Sequence, residues 1–255
     1  MSATQARSFD ILLLLRRSNV ALSLTDIARE LDVAPSSVHS GLNTLLEYDA
    51  VAIDGDKKYR LGPGLFYLGA AFARSSPAYR AAWPDLVSVA GEAKLSAAIA
   101  VPWDNHHLVI AVHQNPGSRL GVAIGSRIPI DAGSYGKAYY AWSGANIPKK
   151  ITNFTPKTIV DHTAYTREVA LAKTRRYATD VEEFVDDIVA VAVGVTSNNG
   201  YVGLLALMGS VAQMKEAGIE RAGKMLAHVG ERASTLLGDH NRESLWHEPA
   251  EPSFT

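Results

Sequence analysis

Apolar residues recur with a helical period through the first quarter of the chain. Beyond it, helical and alternating periods take turns. Residues 6–31 predict two helices. In the first, Phe9 and Ile11 to Leu15 are apolar on nearly every side, which predicts packing by neighbours on more than one face. Arg16 and Arg17 suit its C-terminal end. Ser23-Leu24-Thr25-Asp26 carries the start signal of the second helix, with Ile27, Ala28 and Leu31 as its apolar face. Asp32-Val33-Ala34 makes a short connection, and Pro35 stands where a first helical residue is expected. Val38, Leu42, Leu45 and Leu46 then fall at i, i+4, i+7 and i+8, one buried stripe along a helix over 35–48.

The segment after that helix is short and extended. Val51-Ala52-Ile53 is strand-like, Asp54-Gly55-Asp56 carries a turn signal, and Lys57-Lys58-Tyr59-Arg60-Leu61 returns. Two helices with a three-residue connection and a hairpin directly after them outline a winged helix-turn-helix over 1–62. Gly62-Pro63-Gly64 breaks the chain. Residues 65–74 predict a helix with Leu65, Leu68, Gly69 and Phe72 on one face, ended by Ser75-Ser76-Pro77, so 63–79 is expected to be a linker helix.

Residues 80–240 predict a second, α+β domain. Helices are expected over 83–95, 133–142 and 164–176, with one long closing helix over 213–237. Strands are expected over 97–101, 107–113, 120–124, 188–195 and 202–208, the last two joined by Ser197-Asn198-Asn199-Gly200. Strands in hairpin order with helices at both ends suggest a layered fold with a mostly antiparallel sheet. The tail over 241–255, with Pro249 and Pro252, is expected to be loosely held.

Composition narrows the function. The 255 residues contain no cysteine, which excludes disulfides, thiolate metal sites and cysteine nucleophiles. No apolar run reaches the ~18 residues of a membrane span. The start, MSATQARSFD, lacks a basic stretch followed by an apolar one, so the expected compartment is the cytoplasm. Net charge is −1, without the basic excess common in nucleic-acid binders. Only local arrangement can make that case.

It does so on helix 35–48. With the apolar stripe turned inward, the outward residues are Ser36, Ser37, His39, Ser40, Asn43 and Thr44, and the first acid is Glu47. A helix in a major groove must keep carboxylates from phosphates and offer hydrogen-bonding groups to base edges. Asn43 can pair bidentately with adenine, and the serines and His39 suit phosphates or bases. The plainer alternative is a solvated face, but such faces normally carry Lys and Glu. Lys57, Lys58 and Arg60 on the hairpin form a basic patch for the phosphate backbone, with Arg7 of an N-terminal arm as an addition. Asp10, Asp26, Glu30 and Asp32 are assigned to other faces.

The stretch SLTDIARELDVAPSSVHSGLNTLLEYDAV followed by KKYRLGPGLFYLG resembles the IclR family of bacterial transcription regulators. Two later segments extend the likeness over roughly residues 5–238: RIPIDAGSYGKAYYAW, similar to the opening of the family's effector pocket, and RRYATDVEEFVDDIVAVAVGV, similar to its closing loop and strand. The resemblance implies a GAF- or profilin-like effector domain. It also implies a double-stranded, palindromic DNA operator, a small-molecule effector, and a homodimer or tetramer. Three positions depart from the pattern. Ser40 stands where a basic residue is common, Ser134 and Tyr135 replace small residues, and Ala190 replaces a polar strand residue. The effector is therefore expected to differ from the small keto acids associated with some members.

The expected effector site comprises Leu120, Ile128, Ser134, Tyr135, Gly136, Tyr139, Asp180 and Ala190. Gly133-Ser134-Tyr135-Gly136 opens a helix whose backbone N–H groups form an anion site. The spacing of Tyr135 and Tyr139 puts both rings on one face as an aromatic wall, whereas Tyr140 and Trp142 favour core or interface. Asp180 would accept a hydrogen bond from a ligand hydroxyl or amine. Its alternative is a helix N-cap, because Asp180-Val181-Glu182-Glu183 resembles a capping box. The expected effector is a small organic, aromatic or apolar acid with a hydrogen-bond donor.

Other chemistry fits less well. The acidic run at 180, 182, 183, 186 and 187 lacks a glycine-bearing calcium loop and suits a solvated helix start. His106 and His107, adjacent on a strand, point to opposite faces and cannot readily share zinc. No cofactor motif is present. A cofactor-free hydrolase lacks a nucleophile elbow around Ser134. A sensor acting through protein contacts would not need three basic residues beside a carboxylate-free helix. The reading is therefore a ligand-responsive regulator of a catabolic operon, with no enzymatic activity and no membrane partner.

Overall fold

The computed structural model describes residues 3–18, 20–117 and 122–239. The chain divides into two units, Met1–Arg74 and Ser75–Thr255.

In the first unit, α1 (Ala3–Arg17), α2 (Leu24–Glu30) and α3 (Pro35–Glu47) precede a hairpin of β1 (Val51–Ile53) and β2 (Tyr59–Leu61), and α4 (Pro63–Ser75) follows. The start of α2 is the predicted capping box. Ser23 accepts from the Asp26 N–H, and the Asp26 carboxylate accepts from the Ser23 N–H. Two orphan amides are satisfied this way. Ile11, Ile27, Val38, Leu42 and Val51 are buried together, so the predicted stripe is the core face of α3. The helices approach closely because Gly41 has no side chain, and a Cβ there would lie 2.9 Å from Ile11 Cδ1. The packing of α1 is one-sided within the unit, contrary to expectation: Ile11 and Leu15 are buried but Phe9 and Leu13 are exposed.

The hairpin pairs Val51 with Leu61 and Ile53 with Tyr59, and Tyr59 also bridges to Leu22. Its turn is not built on a left-handed Gly55. Asp54 Oδ1 accepts from the Asp56 and Lys58 amides, and Lys57 takes the positive φ, 58°. The Asp54 carboxylate ties the turn through these two amides, and Lys57 rather than glycine takes the left-handed conformation.

The second unit is a six-stranded antiparallel sheet in the order β5-β4-β3-β8-β7-β6. The strands are β3 (Ser96–Trp103), β4 (His106–His113), β5 (Arg127–Pro129), β6 (Ala178–Val181), β7 (Ile188–Ser197) and β8 (Gly200–Ser210). Helices α5 (Pro77–Ala93) and α9 (Ile219–Asp239) cover one face, and α6 (Gly133–Ser143) and α7 (His162–Arg175) the other. Central strands buried on both faces lose the polar half of their alternation. A size alternation replaces it. Ala98, Ala100, Ala190, Ala192 and Ala206 face α6, while Ile99, Val191, Val193, Leu205 and Leu207 take the other face. The small side leaves room for the aromatic side chains of α6.

Three expectations are corrected here. The strand expected over 120–124 lies partly outside the described residues. Its described part, 122–124, is not a strand, and pairing with β4 begins at Arg127. The closing helix is two helices, α8 (Val211–Ala217) and α9, separated at Gly218 with φ 78°. The acidic run does not start a helix. Ala178–Val181 is the edge strand β6, and 182–187 is a turn-rich loop. The tail expected over 241–255 lies outside the described residues. Among the described residues, no helix is long and apolar enough to cross a membrane.

Candidate DNA-reading surface and effector cavity

Ser36, Ser37, His39, Ser40, Asn43 and Thr44 are all exposed on α3, because the stripe opposite them is committed to the core. Asn43 Nδ2 lies 3.4 Å from His39 Nδ1, an i,i+4 contact that aligns the two side chains on one face. Lys57, Lys58 and Arg60 are exposed on the hairpin. The Asp26 carboxylate is taken up by Ser23 and Arg29, which holds its pKa below the usual carboxylate value. Arg7 does not belong to an extended arm. It lies within α1, half-buried, with its stem near Gly41.

The second unit holds a small apolar cavity of about 30 Å³ at the start of α6, room for about one water molecule. Ile128, Ser134, Tyr135, Asp180 and Ala190 line it, five of the residues expected there. Gly136 and Tyr139 do not line it. A Cβ at Gly136 would lie 2.5 Å from the Asp131 carbonyl carbon, so this glycine allows α6 to pack against the segment before it. Tyr139 meets Tyr201 edge-on at 5.4 Å between ring centroids. Leu120 lies outside the described residues. Val122, Ala132, Phe184, Val185, Ile188 and Met208 complete the lining, none of them singled out from the sequence.

Asp180 is buried on β6, opposite Ala190 on β7. Its Oδ1 accepts from the Glu183 amide at 2.7 Å, so the capping expectation survives as a loop turn rather than a helix start. Its Oδ2 lies against the first residue of α6. A Cβ on Gly133 would come within 1.9 Å of it, and Gly133 has φ 44°, so both space and backbone require glycine there. Burial, reinforced by the neighbouring Glu183 charge, pushes the Asp180 carboxyl up to about 6. Ser134 Oγ and Tyr135 Oη, on two other residues of the lining, are buried without hydrogen-bond partners. Burial, and then the Asp180 charge, also raise the Tyr135 phenol.

The loop that closes the cavity is pinned by an ion pair that sequence reasoning missed. Lys137, with no exposed side-chain surface, donates to Glu183 Oε1 at 2.6 Å and to the Thr179 carbonyl at 2.8 Å. Thr155 and Thr158 hydroxyls donate to the Glu182 and Glu183 carbonyls. A lysine inside an aromatic helix start was the available signal, because such a cation needs a buried acid.

Among the described residues, no group of three His, Cys, Asp or Glu side chains could hold a metal ion. A wider groove of about 630 Å³ crosses the end of β7 near Trp142 and Lys173. None of its lining side chains carries an unpaired buried polar atom.

Comparison with known proteins places both halves. The model of the IclR helix-turn-helix domain matches residues 5–55, and that of the bacterial transcriptional regulator IclR C-terminal domain matches residues 74–235. The chain is similar to the HTH-type transcriptional repressor AllR of Escherichia coli and of Salmonella typhimurium. Each is 26% identical over 244 residues, covering 91% of this chain and 89% of the relative. The crystal structure of an IclR transcriptional regulator from Alicyclobacillus acidocaldarius is 27% identical, with TM-score 0.76, covering 93% of this chain and 100% of that one. An IclR homologue from Microbacterium hydrocarbonoxydans complexed with 4-hydroxybenzoate shares the fold at 19% identity, with TM-score 0.76, covering 92% and 99%. This chain belongs to the IclR family, and it is a DNA-binding transcription regulator with an effector-binding domain rather than an enzyme.

Proposed function

We propose that this regulator controls a catabolic operon in response to a small organic acid that carries a hydrogen-bond donor. The observation that carries the DNA half is a carboxylate-free exposed face on α3 in a unit that also exposes three cations on its wing. In this reading Ser36, Ser37, His39, Ser40, Asn43 and Thr44 face base edges and phosphates in a major groove. Lys57, Lys58 and Arg60 hold the backbone, with Arg7 beside α3. Fluorescence anisotropy with duplex from upstream of the gene and its neighbours, against a scrambled duplex at two salt concentrations, tests it. Selective binding that survives the higher salt is expected. Equal, salt-labile binding to both duplexes would move weight to a sensor acting through protein contacts.

Two substitutions separate the roles. Asn43→Ala is expected to relax specificity at one base position by ~1–3 kcal/mol. Lys58→Ala is expected to weaken all duplexes alike and to reduce the salt slope by about one phosphate's worth. Unchanged binding in both variants would remove the assignment of α3 and the wing.

The effector half rests on Ser134, Tyr135, Asp180, Ile128 and Ala190 around one cavity, with Gly136 and Tyr139 on the helix that supplies Ser134 and Tyr135. An effector larger than water enters only if the lining gives way, and Phe184 and Val185 on the 182–187 loop form part of that lining. Ligand binding then favours the arrangement with the loop displaced, by no more than its differential affinity for the two states. The acid bound by the Microbacterium homologue, 4-hydroxybenzoate, is the first candidate to titrate.

The regulator is also expected to be a homodimer or tetramer on a palindromic operator. Phe66, Tyr67 and Leu68 on α4 are 75%, 68% and 65% exposed, an apolar surface of the kind that marks an interface. Phe66→Ser is expected to lower the mass seen by sedimentation velocity. An unchanged oligomer would place the contact elsewhere.

A further inference from the structure

We propose that the effector cavity continues into a second polar subsite, made by the Tyr135 hydroxyl and His107 Nδ1, which takes an uncharged hydrogen-bonding group at the far end of the effector. The inference rests on the reading of the cavity as the effector site. His107 on β4 pairs with the cavity-lining Ile128 of β5, so both side chains rise from the same face of the sheet. Tyr135, which also lines the cavity, meets the imidazole edge-on at 6.0 Å between ring centroids. Tyr139 and Tyr201 contact the same imidazole at 5.6 Å and 6.4 Å.

Within this aromatic cluster the hydrogen-bond inventory is incomplete. His107 is fully buried, and its Nε2 is engaged by Tyr201 Oη at 3.3 Å. Its Nδ1 has no partner, nor has Tyr135 Oη. Buried polar atoms are nearly always satisfied, so two unpaired ones, on cavity-lining Tyr135 and on the imidazole packed against its ring, mark a place for an external polar atom. Burial, with His106 adding to it, pushes the His107 pKa down to about 4, so the ring is neutral at physiological pH. A neutral imidazole offers one N–H and one lone pair. If Nε2 accepts from Tyr201, Nδ1 donates; if Nε2 donates, Nδ1 accepts. A hydroxyl, carbonyl or amide matches the hydrogen-bonding capacity of Nδ1 and of the Tyr135 hydroxyl. An ionised group there would sit among tyrosine rings and Ile128 without a counter-charge. The charged or donor end of the effector therefore belongs at Ser134 and Asp180, and the neutral end at Tyr135 and His107.

Benzoate and 4-hydroxybenzoate, alike in their acid end and ring and different in one far hydroxyl, serve as probes. Calorimetric titration of the full chain is expected to show a preference for the hydroxylated probe of at least about tenfold. Tyr135→Phe is expected to abolish that preference. It is also expected to leave the melting temperature unchanged or to raise it by about 2–4 °C, because it removes a buried hydroxyl that has no partner. Equal affinity of the wild type for the two probes, or a preference that survives Tyr135→Phe, would overturn the subsite. If neither probe binds, the aromatic-acid reading of the effector falls and the melting measurement decides the subsite alone. Tyr135→Phe melting several degrees lower would then mean that the hydroxyl has a structural partner, a buried water included, and the subsite fails. An unchanged or higher melting temperature upholds it.

Discussion

Lys137→Met is expected to destabilise the effector domain by ~3–5 kcal/mol, the cost of leaving one member of a buried ion pair alone. Methionine fills the volume, so the loss is electrostatic rather than a cavity. It strands the Glu183 carboxylate, 9% exposed, without the ammonium group 2.6 Å away. It also removes the donor to the Thr179 carbonyl, one residue before Asp180. Urea unfolding followed on the second unit's transition should show a lower midpoint with an unchanged slope. Lys137→Met combined with Glu183→Leu should recover most of the loss, because a buried pair replaced by apolar side chains costs little. A single-variant loss below about 1 kcal/mol, the range of surface pairs, would mean that water reaches Glu183. The single variant should also loosen the 182–187 loop, and faster hydrogen exchange at Phe184 and Val185 would report it.

Asp180→Asn is expected to stabilise the protein at neutral pH and to remove a pH dependence of effector binding. The Asp180 carboxyl is raised from 3.8 to about 6 in the folded protein, first by burial. The folded state therefore holds this proton more tightly than the unfolded state does. The resulting stability is fully present below about pH 4 and is lost as pH rises through about 6. At pH 7 the ionised group costs about 3 kcal/mol. Asparagine keeps an acceptor for the Glu183 amide and carries no charge, so a gain of ~1–3 kcal/mol is expected, with a flat profile between pH 4 and 7. An anionic effector binds best beside a protonated Asp180, so wild-type affinity should fall up to tenfold per pH unit above about 6. An amine effector would show no such fall. Operator binding without effector should be unchanged. A variant that keeps the wild-type pH slope would show that another group controls it.

Much of the first unit was legible because its signals are local. The capping box at Ser23, Pro35 at a first helical position and the Val38–Leu42–Leu45 stripe each act within a few residues. The outward face of α3 followed from the stripe alone. In the second unit, Ser134, Tyr135, Asp180, Ile128 and Ala190 were named from the sequence and do meet around one cavity. The small-and-large alternation of Ile188-Val189-Ala190-Val191-Ala192-Val193 was present too, but it gains meaning only when α6 is known to lie over the alanines.

What the sequence by itself determined is the helix-turn-helix and hairpin of the first unit, the outward face of α3 and the family to which the chain belongs, because periodicity, caps and spacing are written in neighbouring residues. Tertiary structure decided the rest. Ala178–Val181 is a strand only because β7 offers it an edge, which overrides the capping pattern in its own residues. Tyr135 and Tyr139 share a helix face, yet only Tyr135 reaches the cavity. Lys137 and Glu183, and likewise His107 and Tyr201, find each other across 46 and 94 residues. Burial shifts the Asp180 and His107 pKa values in opposite chemical senses for one reason: each is held in its neutral form by surroundings supplied by distant parts of the chain.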